Sequence, residues 1–150
     1  MGRQQPLARQ IPNPKTQIPS NIQTQISKAS MDDGSPKPRS LEERTFLFAQ
    51  AIRTFIKTLP RTVGNMEDVR QLIRASGSVA ANWIEADEAL SKKDFLMRAK
   101  ICRKEAKESR LFLRLIEVGR GNIESRDALA AEAYELTLIF STIISKSSGL

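Results

Sequence analysis

Seven lysine and arginine residues recur along one side of the longest predicted helix. At about 100° per residue, all seven fall within roughly a third of the helix circumference, and no acidic residue lies among them. We call this set the basic stripe: Lys93, Lys100, Arg103, Lys104, Lys107, Arg110 and Arg114. Such a surface attracts a polyanion such as RNA or DNA. A solvated helix face, with pairs such as Lys104 to Glu108, explains the pattern about equally well.

No aromatic residue lies among the bases of this helix. Proteins that stack unpaired bases place aromatic rings beside their basic side chains. We therefore predict that the basic stripe contacts phosphates without base stacking, with little sequence preference and a steep dependence on salt.

Acidic and apolar residues share the opposite flank of the same helix. Glu105 and Glu108 lie beside apolar positions there, so we expect them to be partly buried and to need partners. Arg70 and Arg74 of the second helix are the candidate partners; a catalytic carboxylate pair is the alternative, and nothing else in the sequence supports it. The second helix also has a polar face, which is either solvated or part of a subunit interface. Its members are Gln71, Arg74, Ser78, Asn82 and Glu85.

Most catalytic chemistry lacks its residues in this chain. Histidine is absent and cysteine occurs once, which excludes Ser-His-Asp and Cys-His catalysis, HExxH zinc sites and all-cysteine zinc sites. Cys102 itself lies on an apolar seam, as a small buried hydrophobic residue would. Gly119 and Gly121 follow a helix rather than a strand, so they do not indicate a nucleotide-binding loop. We therefore predict that the protein is not an enzyme and holds no cofactor or metal.

Four amphipathic helices must position these residues. Ser40 and Ser91 are predicted to cap the first and third helices, Asn65 the second, and Pro60 ends the first. Around Gly77 the second helix carries small residues, which predict a close approach of another helix. Short connections make sequential helices antiparallel, so the fold class is all-α, an up-down-up-down four-helix bundle over residues 41–150. The predicted helices span about 41–59, 66–88, 92–118 and 125–146.

Residues 1–40 differ in composition from the rest of the chain. They hold six of the seven prolines, no aromatic residue, and six bases against two acids, a net charge of +4. Prolines prevent a long helix, so we predict a flexible, disordered basic arm. No continuous apolar stretch resembles a secretory signal or a membrane span of roughly 20 residues. A cytoplasmic protein without a membrane partner is therefore expected.

Several segments together resemble a known family. They are Leu59-Pro60-Arg61, 71–86 (QLIRASGSVAANWIEA), 91–95 (SKKDF) and 104–109 (KEAKES). Over about 45–145 the chain is similar to the bacterial four-helix-bundle proteins, also called 23S ribosomal RNA intervening-sequence proteins. Trp83 stands where the family commonly has Tyr, and Phe112 where it commonly has Trp. The arm lies outside the family pattern.

The resemblance implies an antiparallel bundle that assembles into a ring-like homopentamer with a basic surface. A relative of the family, the accessory protein of diversity-generating retroelements, implies a reverse transcriptase and nucleic acid as partners. No catalytic residue is implied. We therefore expect a non-catalytic homo-oligomer, most simply a pentamer, that binds RNA or DNA, a nucleic-acid enzyme, or both. The alternative is a structural or protein-interaction module with no nucleic-acid role.

Overall fold

Four α-helices account for most of the described chain. The computed structural model describes residues 39–149, and all regular structure in this range is helical. The helices are α1 (Leu41–Phe55), α2 (Val63–Asp87), α3 (Lys92–Leu115) and α4 (Ile123–Ser148), with single 3₁₀ turns at Ile56–Thr58 and Arg120–Asn122. The prediction of an all-α four-helix bundle is confirmed. Apart from its last two residues, the predicted arm lies outside the described residues.

Three of the four helices, α1, α2 and α3, begin at hydroxyl caps. Ser40 Oγ accepts from the backbone N–H of Glu43 at 3.2 Å, and Ser91 Oγ does the same for the third residue of α3 at 3.1 Å. Asn65, by contrast, is not the cap of α2. Thr62 Oγ1 accepts from the backbone N–H of Asn65 at 3.1 Å, so α2 starts three residues earlier than predicted. A threonine and an asparagine three residues apart are both good caps, and tertiary contacts of Asn65 decide between them.

The helix ends also differ from the predicted bounds. α1 ends at Phe55 and tightens into a 3₁₀ turn before Pro60. α3 ends at Leu115 rather than near residue 118, because Ile116 is extended with a ψ of 133°. α4 is two residues longer than predicted at each end and stops at Gly149, whose positive φ of 74° suits glycine.

Sequential helices pack against each other around one core. α2 packs against α1 and α3, α4 packs against α3, and α1 closes the bundle with a smaller contact to α4. Asn122 Nδ2 donates to the carbonyl of Thr58 at 3.5 Å, which places the start of α4 beside the end of α1. Every helix contributes to the buried cluster, whose larger members are Phe48, Ile52, Phe55, Leu72, Val79, Leu113, Ile116, Leu129, Leu136 and Phe140.

An aromatic cluster joins three of the four helices. The Trp83 ring of α2 lies 5.8 Å from the Phe140 ring of α4 and 6.1 Å, edge-on, from the Phe95 ring of α3. Rings at these separations attract each other beyond the area that they bury. Trp83 is therefore part of the packing of the bundle.

A part-buried ion pair joins the first and last helices. Arg44 of α1 donates to both carboxylate oxygens of Glu132 in α4, from Nε at 2.7 Å and from Nη2 at 3.1 Å. Glu132 is only 6% exposed. The hydrogen bond to Glu132 raises the pKa of Arg44 above its ordinary value. Two parallel bonds fix the geometry of the pair, so this contact orients α1 on α4.

Gly77 marks the contact between α2 and a side chain of α1. A Cβ atom at this position would lie 3.1 Å from Arg53 Nη2. The other terminal nitrogen of the same guanidinium, Arg53 Nη1, donates to the carbonyl of Ala49 within α1 at 2.9 Å. The sequence predicted a close approach of another helix around Gly77; at Gly77 itself, the near atom outside α2 belongs to an arginine side chain instead.

α4 is the most apolar helix of the bundle. Within Arg120–Ser148, one 18-residue window has a mean hydropathy of 1.3, which by length and composition would suffice to cross a membrane. Of that window, 44% is buried inside the bundle. The core helix of a helical bundle meets the same criterion, so the apolar character is weak evidence for a membrane segment.

Candidate nucleic-acid interface

The rotation of α3 is set by the residues that it buries. Small and medium side chains on one side of the helix pack into the core with essentially no exposure: Ala99, Cys102, Ala106, Ser109 and Leu113. Since α2 and α4 cover the two flanks of this seam, the basic stripe and the acidic flank face different neighbours. This separation decides which charges are neutralised within the protein.

The basic stripe faces solvent on the α4 side of α3. Arg103 and Arg110 are half-buried, and the other five bases are exposed. Lys104 Nζ lies 3.8 Å from Glu108 Oε1, as predicted for an i,i+4 pair. Within residues 39–149, the other six bases of the stripe make no ion pair. Six cations therefore keep their charge available to an external anion.

An aromatic ring from another helix lies against the stripe. The Cζ atom of Arg110 is 4.7 Å from the centre of the Tyr134 ring, which belongs to α4. This geometry is a cation–π contact. Within α3 itself, the stripe has no aromatic residue, as predicted. The packing of α4 against α3 nevertheless brings the Tyr134 ring to it. Tyr134 lies outside the apolar stripe of α4, whose members are Leu129, Ala133, Leu136, Phe140 and Ile143. An aromatic residue outside the buried stripe of a helix could have indicated an exposed ring from the sequence alone.

Tyr134 and the stripe together line a groove between α3 and α4. The groove has a volume of about 220 Å³ and is open to solvent. Its walls combine three bases with apolar surface: Lys107, Arg110, Leu111, Arg114, Tyr134 and Thr137. We call it the α3–α4 groove. Of the described surface, this is where the basic stripe becomes concave.

The acidic flank of α3 is occupied by a single arginine of α2. Arg74 Nη2 lies 2.6 Å from Glu108 Oε2, and its Nη1 lies 3.4 Å from the carboxylate of Glu105. Glu105 is 4% exposed. The charge of Glu105, with smaller contributions from Glu108, raises the pKa of Arg74. One guanidinium between two carboxylates is the arrangement of an inter-helix ion pair. Arg70, the other candidate, lies instead 3.9 Å from Glu67 on its own helix.

The polar face of α2 contains a residue that bonds to α3, residues that bond within α2, and a residue that is exposed to solvent. Asn82 Oδ1 accepts from Arg98 Nη1 of α3 at 3.0 Å, while its Nδ2 donates to Ser78 within α2. Gln71 accepts from Arg74 Nε at 3.4 Å. Glu85 is exposed and makes no ion pair within the described range. Much of this face thus serves contacts inside the bundle, and Arg70, Gln71 and Glu85 remain on the surface.

Cys102 lies in the core beneath the stripe. Its side chain has no exposed surface, and Sγ lies 3.5 Å from the carbonyl oxygen of Val79. Burial raises the pKa of the thiol to about 12. Among residues 39–149, no three Cys, Asp or Glu side chains are placed to share a metal ion.

Comparison with known proteins gives one informative likeness. No protein-family model matches the chain, and no curated protein matches it. Among solved structures, it is similar to a protein of unknown function from the S23 ribosomal protein family of Bacteroides thetaiotaomicron. The TM-score is 0.60 and the sequence identity 26%, over 70% of this chain and 98% of that one. The bundle is thus similar to a protein of the S23 family, which supports the resemblance to the 23S ribosomal RNA intervening-sequence proteins.

Proposed function

We propose that the protein is a non-catalytic, homo-oligomeric helical bundle that binds nucleic acid through the basic stripe. The observation that carries the proposal is the segregation of charge on α3. Arg74 takes up both carboxylates of the acidic flank, whereas six bases of the stripe have no acidic partner within the described residues. Unpaired cations along one helix match the repeating phosphates of a nucleic acid, and their binding releases counterions.

The non-catalytic part of the proposal is supported by the state of the reactive groups. The one cysteine of the chain is buried with its thiol pKa raised to about 12, so it is a poor nucleophile. The Glu105 and Glu108 carboxylates are held by Arg74 instead of facing a cleft. Histidine is absent from the sequence.

A charge reversal tests the binding site directly. Arg103, Lys107, Arg110 and Arg114 are replaced together by Glu, and binding of a labelled 20-nucleotide RNA and DNA is followed by fluorescence anisotropy over a range of salt concentrations. We expect wild-type affinity to fall steeply with salt, and the variant to bind every sequence much more weakly. Circular dichroism confirms that the bundle remains folded, since these side chains lie off the buried seam.

A second reversal of equal charge serves as the control. Lys57, Arg61, Arg70 and Lys146 are exposed bases outside the stripe, and replacing them by Glu changes the net charge by the same amount. This variant should retain most of the affinity, because only total charge has changed. The control also accounts for the +4 arm, which is present in every protein compared. Equal weakening by the two reversals, or no binding at low salt, would contradict the proposal and favour a protein-interaction module.

Self-association is supported by an apolar end of the bundle. The contacts of Asn65 with Glu117 and of Asn122 with Thr58 bring the start of α2, the end of α3 and the start of α4 together. Four exposed apolar side chains lie at this end: Val63, Met66, Leu115 and Ile123. Clustered exposed apolar residues are typical of association surfaces. That the oligomer is a pentamer rests on the family resemblance.

Light scattering measures the oligomeric state. Wild-type protein at micromolar concentration should have several times the protomer mass of 16.8 kDa. Val63→Glu combined with Leu115→Glu should lower this mass, because it places charges on the apolar end. Leu90→Glu is the matched control, since Leu90 is 99% exposed at the opposite end, between α2 and α3. A monomeric wild type would overturn the proposal of self-association.

A nucleic-acid enzyme is the proposed protein partner, with reverse transcriptase as the specific candidate. The family's relation to the accessory protein of diversity-generating retroelements supports this choice, and a cytoplasmic location is proposed with it. Sequencing of the neighbouring genes, followed by co-purification of the tagged chain with any reverse transcriptase found there, tests the partnership. Failure of the two to associate, with or without RNA, would count against it.

A further inference from the structure

We infer that the α3–α4 groove binds an unpaired base, which stacks on the Tyr134 ring and its cation partner Arg110. The protein would then prefer single-stranded nucleic acid to a duplex. This inference rests on the proposed nucleic-acid function. It assigns a role to the Tyr134 ring, which the binding of phosphates does not require. Contacts to phosphates alone require cations, and the rest of the stripe supplies them.

The surroundings of Tyr134 are those of a stacking platform. The ring is 44% exposed, whereas the largest side chain of α4, Phe140, is fully buried. The guanidinium of Arg110 covers part of it, at 4.7 Å from the ring centre. A planar guanidinium on an aromatic ring offers a flat surface on which a base can stack. Leu111 adds apolar surface to the same groove.

Bases of the stripe flank the ring along the helix axis. Lys107 and Arg114 are seven residues apart on α3, which is about 10 Å at the rise of an α-helix. Both line the groove, on either side of Arg110. A nucleotide with its base in the groove would therefore have a cation near the phosphate on each side. Neither cation has an acidic partner within residues 39–149.

The shape of the groove favours a strand whose bases are free. The groove has a volume of about 220 Å³ and is open to solvent, so a planar group can approach it from outside. The bases of a duplex are stacked on each other and present only their edges, so they cannot reach a ring between two helices. A duplex would contact the outer cations of the stripe and leave Tyr134 uncovered.

A pair of oligonucleotides with equal charge separates stacking from phosphate binding. The full chain is titrated with labelled 20-nucleotide oligothymidylate and with an abasic strand of the same length, at low salt. Stacking predicts tighter wild-type binding to oligothymidylate. Tyr134→Ala should weaken that binding by about 5- to 150-fold, the range measured for one stacked base, and should leave the affinity for the abasic strand unchanged. Tyr134→Phe, which keeps the ring, should bind both strands as the wild type does.

Loss of an exposed aromatic ring elsewhere is the matched control. Phe46 on α1 is 56% exposed and lies outside the groove, so Phe46→Ala should not change either affinity. Equal wild-type affinity for the two strands, or equal weakening of both by Tyr134→Ala, would overturn the stacking inference and leave the phosphate-binding function intact. If neither strand binds at low salt, the proposed function fails, and the inference fails with it.

Discussion

Asn65 and Glu117 are joined by two hydrogen bonds, although 52 residues separate them in the sequence. Asn65 Nδ2 donates to the carbonyl of Glu117 at 2.9 Å, and Asn65 Oδ1 accepts from its backbone N–H at the same distance. Nδ2 also donates to the carbonyl of Pro60 at 2.9 Å. One buried amide therefore satisfies backbone groups at the α1–α2 connection and just after α3, where no helix provides partners.

Replacement of Asn65 should destabilise the bundle. Asn65→Ala removes three hydrogen bonds and leaves part-buried backbone groups without partners, so we expect a loss of about 2 kcal/mol in the free energy of unfolding. Urea denaturation measures this loss, and hydrogen exchange of the Glu117 amide should become faster. The control is Asn122→Ala, which removes one long, exposed bond and should cost at most about 0.5 kcal/mol. Equal losses in the two variants would contradict this role of Asn65.

Removing one partner of the Arg44–Glu132 pair should destabilise the bundle more than replacing both partners by apolar residues. Glu132→Ala leaves a part-buried guanidinium without its acceptor, so we expect a loss of about 1.5–3 kcal/mol. Changing both residues to Met should recover most of it, because apolar side chains can substitute for a buried ion pair. Denaturant unfolding measures each variant. The control is Asp127→Ala, which breaks the ion pair of Asp127 with its sequence neighbour Arg126 and should cost about 0.5 kcal/mol or less in the free energy of unfolding. A similarly small cost for Glu132→Ala would refute the prediction.

Cys102 should make the bundle less stable in alkali. Its pKa is about 12 in the folded protein against 9.0 for an unperturbed thiol, so the folded state holds the thiol proton more tightly than the unfolded chain. The resulting stabilisation is complete below pH 9 and is lost as the pH rises from 9 towards 12. Between about pH 8 and about pH 10.5, the free energy of unfolding should fall further for the wild type than for Cys102→Ala. Parallel pH curves would show that the thiol does not contribute.

Gly77→Ala should stabilise the protein. Alanine is favoured over glycine inside a helix by about 1 kcal/mol, and the only heavy atom near the new Cβ among the described residues is the end of a flexible arginine side chain. We expect a gain of about 0.5–1 kcal/mol in the free energy of unfolding, measured in urea. A loss of stability in Gly77→Ala would contradict the prediction. If adding Arg53→Ala then restores the stability, the loss comes from a guanidinium that cannot move away from the new Cβ.

Periodicity in the sequence was sufficient to predict the core and the order of the helices. Residues such as Ile52, Leu72 and Leu113 repeat at helical spacing, because the same face of each helix must be buried. The start of α2 was predicted wrongly because Thr62 and Asn65 carry the same local capping signal. Only the backbone of Glu117, which the fold brings to Asn65, distinguishes them.

Two parts of the site were predictable from the sequence: the basic stripe, which lies on one helix, and the pairing of Glu105 and Glu108 with Arg74, because carboxylates beside apolar positions need partners. The spacing of the bases places them on one side of α3 without knowledge of the neighbours. The Arg44–Glu132 pair and the Arg110–Tyr134 contact each need two helices and their relative rotation. No feature of the sequence pairs the residues of these two contacts, so they follow from packing alone.

The sharing of Arg74 between two carboxylates also has a consequence for the approach of the nucleic acid proposed above. The acids of α3 are paired on the α2 side, and six of its bases have no acidic partner within residues 39–149, so the charge of this helix is unevenly distributed around its axis. A charged polymer exerts a torque on such a distribution and turns the basic side towards itself before contact. Orientation of this kind accelerates association more than it lengthens the life of a complex, so the ion pairs of Arg74 influence an encounter in which they take no direct part.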